Sequence, residues 1–129
     1  MPLSDIRVID LTRILAGPFC TQMLADMGAD VIKVEPPAGD PVRGQGIIRD
    51  GVSWYFAQFN RNKKSVVLDL YTDEGKETLA RLIEGADVLV ENYRPGVLDK
   101  MGFNQARLDA LNPDLVVTSV NGYGSTGPY

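Results

Sequence analysis

The feature that most restricts the fold of this chain is a regular alternation of short, β-branched apolar runs with segments of helical spacing. Five runs are long enough for a strand and short for a helix, at residues 6–11, 30–35, 64–70, 86–92 and 114–121. Strands that alternate with helices form a parallel sheet covered by helices. The sequence therefore predicts an α/β fold with a parallel sheet and helices on both faces.

Two helical segments are predicted in the first half of the chain. One begins at Gly17, places Pro18 at its first helical position and stops at Gly28. The spacing of its apolar residues predicts an inward face that contains Cys20, Met23, Leu24 and Met27. A shorter helix is expected at 53–60, within the long connection between the second and third strands.

Two further helices follow the third and fourth strands. The segment 72–86 has Thr72 as its N-cap, acidic residues in its first turn and an apolar face that ends at Ile83. The segment 104–112 is capped by Asn104 and stops before Pro113. The second and third strands are apolar on both faces, which is typical of strands covered by helices on both sides.

Composition excludes several function classes. The chain has 129 residues, enough for one modest core, and its net charge of −4 comes from 13 basic residues dispersed among 17 acidic ones. This dispersal argues against a nucleic-acid partner, which would require massed basic residues. With no histidine and one cysteine, a common zinc site or a Ser-His pair cannot be assembled, and we predict no metal. Met1 leads directly into polar residues and no apolar run reaches the length of a membrane span, so we expect no signal peptide, a cytoplasmic protein and no membrane partner.

The carboxyl ends of parallel strands are where ligands gather in such sheets. After the fourth strand the sequence reads "NYRPG", and Asn92, Tyr93 and Arg94 could bind a ligand with a ring and a phosphate, with Lys100 as a second charge. The alternative is a turn-forming amide, a core ring and a solvated charge before a Pro-Gly turn.

The segment "GYGSTG" at 122–127 matches the dinucleotide-binding pattern G-x-G-x-x-G, but it follows the last predicted strand rather than the first. A glycine-rich loop that allows close approach of a ligand or another backbone is the favoured interpretation.

Isolated charged residues near the predicted edge have two interpretations. Arg13, Arg43 and Arg61 could each meet a phosphate or remain solvated. Asp10 and Asp69 could act as acids, although carboxylates at strand ends more often cap a neighbouring turn. Cys20 is expected to be a packing residue.

Several motifs together resemble those of one known family. They are "VIDLTRILAGPFCTQMLADMGADVIKVEPPAGDPVR", "FNRNKKSVVLDL", "GADVLVENYRPGVLDKMGF" and "NPDLVVTSVNGYGSTGPY", in this order and over essentially the whole chain. In these segments the chain resembles the class III coenzyme A transferases, a family that includes formyl-CoA transferase, carnitine CoA-transferase and α-methylacyl-CoA racemase. The resemblance implies that residues 1–129 form the amino-terminal part of a Rossmann-like CoA-binding domain.

The resemblance also implies a binding site for coenzyme A or acyl-CoA. Its members would be Leu15, Ala16, Leu68, Asp69, Leu70, Tyr71, Asn92, Tyr93, Arg94, Lys100, Met101, Asn121, Gly122 and Tyr123. Pro36, Tyr71 and Asn121 stand where some members of the family have basic residues, so the phosphates would be bound differently, by Arg94, Arg43 or Arg61.

The mechanism implied for the complete enzyme is transfer of coenzyme A from an acyl-CoA to a carboxylic acid. An aspartate beyond this segment would attack the thioester, forming an anhydride and then an enzyme thioester, within an interlocked homodimer. No catalytic residue is expected in the present chain. A racemase of the same family is one alternative, although those enzymes use a histidine that this chain lacks; a non-catalytic nucleotide-binding fragment is another.

Overall fold

The computed structural model describes residues 1–128 and contains a five-stranded sheet, a small hairpin and five α-helices. In chain order the elements are β1 (Arg7–Asp10), α1 (Ala16–Asp26), β2 (Asp30–Glu35), a 3₁₀ turn (Pro41–Gly44), β3 (Ile48–Arg49), β4 (Val52–Ser53), α2 (Trp54–Asn60), β5 (Lys64–Val67), α3 (Asp73–Glu84), β6 (Val88–Glu91), α4 (Val97–Lys100), α5 (Gln105–Leu111) and β7 (Val116–Ser119). Tyr129, the last residue of the "GYGSTGPY" segment, lies outside the described residues.

The main sheet has the strand order β5-β2-β1-β6-β7, and every neighbouring pair is parallel. Ile9 in the central strand lies between Ile32 and Leu89. The order along the chain reverses between β1 and β6, so loops on either side of this point diverge and leave a crevice at the carboxyl ends of the strands. The predicted α/β fold is confirmed.

Helices cover both faces of the sheet, because residues in the central strands are apolar on both sides. The larger core joins Ile9 and Leu89 to α3 and α5 through Leu79, Ile83 and Leu108, all at most 2% exposed. The second core, on the other face, groups strand residues with the end of α1: Val8, Ala25, Ala29, Val31 and Val90. Burial of these side chains is the main force that holds the layers together.

The predicted inward face of α1 is wrong for two of its four residues, whereas Leu24 packs against the second core and Cys20 is half-buried. Met23 and Met27 are each 43% exposed, whereas Gly17, Thr21 and Ala25 are buried at a spacing of four residues. The side toward the sheet meets the buried carboxylate of Asp10, so a polar, small-residue stripe fits there better than the methionines do. The helix also starts at Ala16, which makes Pro18 its third residue rather than its first.

The third predicted strand is shorter and less buried than expected. As β5 it lies at one edge of the sheet, and Val67 is 60% exposed, so its apolar run does not indicate cover on both faces. The β3–β4 hairpin was not predicted. Its turn residues Asp50 and Gly51 both have positive φ, and this Asp-Gly pair is a sequence signal that could have identified the turn.

The predicted caps of the later helices are confirmed. Thr72 accepts a hydrogen bond from the backbone N–H of Gly75, and Asn104 accepts one from that of Arg107. Ser53 caps α2 in the same way through the Phe56 N–H. Each cap satisfies a backbone donor that the first helical turn leaves unpaired.

Candidate functional site

A cavity of about 570 Å³ opens at the carboxyl ends of the strands, beside the point where the strand order reverses. It is bounded by the loops after β1, β2, β5 and β6 and by helix α4. The lining residues are Leu11, Arg13, Val34, Pro36, Pro37, Ala38, Leu68, Asp69, Leu70, Tyr71, Lys76, Tyr93, Val97, Lys100 and Met101. The cavity has apolar walls with three basic side chains and one carboxylate, which suits an extended ligand that carries anionic groups.

Seven of the fourteen residues expected at the site line this cavity. They are Leu68, Asp69, Leu70, Tyr71, Tyr93, Lys100 and Met101. The other seven lie outside its lining: Leu15, Ala16, Asn92, Arg94, Asn121, Gly122 and Tyr123. Asn121 borders a second, smaller cavity of about 300 Å³ between α4, α5 and β7. The assignment of all fourteen to a ligand therefore stays a prediction.

Three lining residues, Arg13, Pro36 and Lys76, were not among the fourteen expected at the site, and two of them have recognisable sequence signals. Arg13 follows the first strand, and Pro36 follows the second, so both positions are expected at the ligand edge of a parallel sheet. Lys76 is harder to find, because it lies in the first helical turns of α3 and resembles any solvated helix residue. Only the close packing of α3 against the 69–72 turn brings it to the cavity. A Cβ on Gly75 would lie 2.0 Å from the carbonyl oxygen of Asp69, so glycine is required for this approach.

Arg13 is held in place by the side chain of Asn92. The Arg13 backbone N–H donates to Asn92 Oδ1 at 2.8 Å, and Asn92 Nδ2 donates back to the Arg13 carbonyl at 2.8 Å. The Arg13 guanidinium lies 5.4 Å from the ring centroid of Tyr93, a cation–π distance. Burial raises the pKa of Tyr93, so its phenol stays protonated at neutral pH. Asn92 and Tyr93 thus tie the loop after β1 to the end of β6.

A network of buried charges lies beneath this loop. Asp10 is fully buried and accepts hydrogen bonds from the Thr12 backbone, Thr21 Oγ1 at 2.6 Å and Lys63 Nζ at 3.0 Å. Burial lowers the pKa of Lys63, although the neighbouring Asp10 carboxylate acts in the opposite direction. The capping interpretation of Asp10 is confirmed, since its oxygens are occupied by the turn and by α1.

A second buried ion pair joins β2 to the loop that follows it. Lys33 Nζ lies 2.9 Å from Asp40 Oδ2, at an angle that does not make a hydrogen bond, and both side chains are 1% exposed. The Lys33 ammonium also donates to the carbonyl of Thr12 at 2.8 Å. Asp40 Oδ1 accepts from the backbone N–H of Val42 at 3.1 Å and, more weakly, from that of Ile14 at 3.4 Å. The pair therefore contacts the loop after β1 at two backbone groups, the Thr12 carbonyl and the Ile14 N–H.

Ile14 has a left-handed backbone conformation, with φ of 71°. A β-branched residue is rarely found there, and the strain costs on the order of 1–3 kcal/mol unless surrounding contacts fix the backbone. Ile14 is flanked by Arg13, which Asn92 holds, and by Leu15 at the start of α1. The loop from Thr12 to Ala16 is thus a strained segment at the edge of the cavity.

Two of the three loop arginines considered as phosphate ligands are engaged elsewhere. Arg43 makes two hydrogen bonds with Glu35, of 2.7 and 2.6 Å, and its guanidinium lies 3.7 Å from the ring centroid of Phe56. Arg61 pairs with Asp26 at 2.7 Å. Arg13 alone of the three lines the cavity.

The pKa of Glu35 lies well below its ordinary value. Burial by itself would raise the pKa of Glu35, but hydrogen bonds from Arg43, the Asp40 amide and Ser65 outweigh this effect and lower the pKa from 4.5 to about 2. A carboxyl group with a lowered folded-state pKa stabilises the protein above its unfolded pKa, and this contribution is lost as the pH falls toward 2.

Glu35→Gln is therefore expected to cost about 2 kcal/mol of unfolding free energy at pH 7, a value reduced from the full linkage because the Arg43 side chain is 47% exposed. Urea denaturation at pH 7, 4 and 2.5 checks it, and the difference from the unsubstituted protein should shrink across this range. Glu77→Gln, at an exposed position of α3, is the control and should be nearly neutral at every pH. A Glu35→Gln deficit that is equally large at pH 7 and pH 2.5 would contradict the ion-pair explanation.

The glycine-rich segment 122–127 is exposed throughout. A Cβ on Gly122 or Gly124 would meet no described atom within 4 Å, and Gly124 has φ of 79°. Among the described residues, nothing lies close enough to Gly122 or Gly124 to require glycine there, and the predicted close approach of a ligand or another backbone stays untested.

Comparison with known proteins decides the family. The family model for CoA-transferase family III matches residues 3–129. The chain belongs to CoA-transferase family III. It is 50% identical over 130 residues to a succinyl-CoA–D-citramalate CoA-transferase of Chloroflexus aurantiacus, covering 99% of this chain and 32% of the relative. It is also 50% identical over 129 residues to a formyl-CoA:oxalate CoA-transferase of Rhodopseudomonas palustris strain BisB18, covering 98% and 30%.

The fold agrees with that of a solved structure. A CAIB/BAIF family protein from Brucella suis superimposes with a TM-score of 0.94 at 47% identity, covering 100% of this chain and 35% of that protein. This family III chain thus spans about a third of the length of the proteins that it matches. Across residues 1–128, no helix is long and apolar enough to cross a bilayer, and no cluster of three metal-ligating side chains occurs.

Proposed function

We propose that this family III chain is the amino-terminal part of the CoA-binding domain of a CoA-transferase. The complete protein moves coenzyme A from an acyl-CoA thioester to a carboxylic acid. The observation that carries this proposal is the apolar cavity at the strand edge, with Arg13, Lys76 and Lys100 around it, in a chain whose family and named relatives are CoA-transferases.

The cavity fits the chemistry of coenzyme A better than that of a small acid. Coenzyme A combines an adenine ring, a diphosphate and a 3′-phosphate with a long, flexible arm that ends in a thiol. Tyr93 and the proline walls offer apolar contact to the ring, and the guanidinium and ammonium groups offer charge-assisted hydrogen bonds to phosphate oxygens. A small dicarboxylate would leave most of this volume unfilled.

The role of the present residues is to hold the carrier while acyl chemistry proceeds at its distant thiol. Contacts with the nucleotide end supply binding energy that orients the reacting thioester. The nucleophile, an aspartate, is proposed to come from a part of the protein outside this chain. It would form an anhydride with the acyl group and release the thiolate, which then attacks the anhydride to give an enzyme thioester and free the first carboxylate. The acceptor carboxylate takes over the coenzyme in the reverse sequence. The complete protein is proposed to act as an interlocked homodimer.

The transferase proposal is tested with the full-length protein. Thioesters of succinate, formate and other acids are each incubated with a panel of carboxylic acids, and the appearance of a new CoA thioester is followed by chromatography. We expect transfer with at least one pair and no net hydrolysis. If no pair exchanges while one thioester is epimerised at its α-carbon, the racemase alternative replaces the proposal.

Calorimetry separates CoA binding from dinucleotide binding. Coenzyme A is expected to bind at least about tenfold more tightly than NADH, since the cations around the cavity suit its extra phosphate. Equal or tighter binding of NADH would favour the dinucleotide interpretation of the glycine pattern.

Arg94→Ala tests the assignment of Arg94 to the site, which rests on the resemblance. An affinity for coenzyme A that falls about tenfold would support a place for this exposed residue beside the ligand, because one charge-assisted contact is worth about that much. Unchanged affinity would remove Arg94 from the site.

A further inference from the structure

The Lys33–Asp40 pair has no role in the site described so far, because neither residue lines the cavity. Both are 1% exposed and sit under the loop after β1. Burying two charges is costly, and apolar residues of similar size often serve stability equally well. A buried pair at this position therefore calls for an explanation besides packing.

The contacts of the pair point to the loop that runs from Thr12 to Ala16. Lys33 Nζ donates to the Thr12 carbonyl at 2.8 Å, and Asp40 Oδ1 lies 3.4 Å from the Ile14 backbone nitrogen. Between them, Arg13 is fixed by two hydrogen bonds of 2.8 Å with Asn92 from the opposite side. Three consecutive residues are thus held from two directions by side chains of β2, its following loop and the end of β6.

The restraints act on the loop around Ile14, whose backbone conformation is strained. Ile14 has φ of 71°, a conformation that persists only where the surroundings fix it. Its neighbours are Arg13, whose guanidinium reaches the cavity and lies over Tyr93, and Leu15, which accepts the hydrogen bond that starts α1. If Ile14 relaxed to an ordinary negative φ, the chain direction would change and Arg13 would leave the cavity edge.

We propose that Lys33 and Asp40 are positioning residues: their buried pair holds the strained loop of residues 12–16 so that Arg13 faces the ligand in the cavity. This inference rests on the proposed function, since it takes coenzyme A as that ligand. The strain is stored in the free protein, so the loop does not have to be ordered when the carrier binds, which favours affinity.

The test removes the pair without leaving a buried charge. In the full-length protein, Lys33→Met with Asp40→Leu replaces both ions by apolar side chains, a kind of change that folded proteins often tolerate. We expect the dissociation constant of coenzyme A and the KM of the thioester to rise about tenfold, because a misplaced binding group loses its contacts, with kcat within about twofold. Asp30→Asn, which breaks the ion pairs with Arg7 and Lys64 at the other end of β2, is the matched control and should leave affinity unchanged.

A rescue variant separates positioning from general destabilisation. Asparagine adopts the left-handed conformation more readily than isoleucine, and position 14 is 43% exposed, so Ile14→Asn should fit without the pair. When Ile14→Asn is added to the double variant, we expect the logarithm of the dissociation constant to return at least about halfway to the value of the unsubstituted protein. The reason is that asparagine adopts the left-handed conformation more readily than isoleucine. A folded double variant with unchanged affinity would overturn the proposal, and so would a loss of affinity that Ile14→Asn leaves untouched.

A second variant and a measurement without coenzyme A complete the test. If the double variant does not fold, Lys33→Met with Asp40→Asn takes its place, because asparagine retains an acceptor for the Val42 N–H.

Hydrogen exchange gives a readout that does not require coenzyme A: the amides of residues 12–16 should exchange faster in the variant, with those of α3 unchanged. If the unsubstituted protein fails to bind coenzyme A, the proposed function falls, and hydrogen exchange still decides whether the pair holds the loop. Unchanged exchange at 12–16 would refute it.

Discussion

Asp10→Ala is expected to lower the free energy of unfolding by about 3–5 kcal/mol, because it leaves the Lys63 ammonium buried without its counter-ion. Asp10 is fully buried and Lys63 is 2% exposed, with 3.0 Å between the carboxylate and the ammonium. The substitution also deprives the Thr12 N–H and the Thr21 hydroxyl of an acceptor. Urea denaturation at pH 7 measures the loss.

Two variants identify the unpaired charge as the cause. Lys63→Met in the Asp10→Ala background removes the stranded ammonium and should recover part of the lost free energy, although Pro18 and Asn60 lose a donor. Asp30→Asn breaks the two surface pairs with Arg7 and Lys64 and should cost at most about 1 kcal/mol. A loss below 1 kcal/mol for Asp10→Ala, or no recovery in the double variant, would show that the network contributes little.

The largest functional effect is expected when two of the cavity cations are removed together. Arg13→Ala with Lys100→Ala should weaken coenzyme A binding to the full-length protein by about a hundredfold, since each charge-assisted contact is worth roughly tenfold or more and the two lie on separate elements. Calorimetry at two salt concentrations provides the measurement. The salt dependence of the affinity should also become shallower, because fewer charges oppose the phosphates.

Arg81→Ala is the matched control for this double variant. Arg81 lies in the last turn of α3, exposed and outside the cavity lining, so its loss changes net charge by one without touching the ligand. Its affinity should remain within about twofold of the unsubstituted protein, as expected for a distant, screened charge. If Arg81→Ala weakens binding as much as each cavity substitution does, the effect is one of overall charge and not of the cavity.

Local signals were sufficient for most of the fold. The β-branched runs predicted the five strands of the main sheet, and Thr72 and Asn104 marked helix starts, because caps and apolar periodicity act over a few residues. The same reasoning failed for part of α1, where Met23 and Met27 carry much of the apolar signal and remain 43% exposed. Which face of a helix is buried depends on what lies beneath it, and beneath α1 lies the carboxylate of Asp10.

Some residues of the candidate site could also be predicted from the sequence, and others could not. Strand order places the ends of β1, β2, β5 and β6 at one edge, so residues such as Tyr93 and Leu68 could be expected there from their position after a strand. Lys76 could not, because its approach depends on the close packing that Gly75 permits. The ion pairs of Arg43 and Arg61 could not be predicted either, since Glu35 is brought to Arg43 by the turn between them and Asp26 is 35 residues away from Arg61 in sequence.

The sequence by itself determined the alternating elements, their direction in a parallel sheet and the family, because each depends on short-range patterns or on motifs that can be read in order. Only the tertiary structure decided which charged side chains pair with one another and which remain at the cavity for a ligand. That choice depends on distances across the chain: Lys33 meets Asp40, Lys63 meets Asp10, and Asn92 binds the backbone of Arg13. A charge can neutralise only a partner within a few ångströms, and the folded chain alone fixes which partners those are.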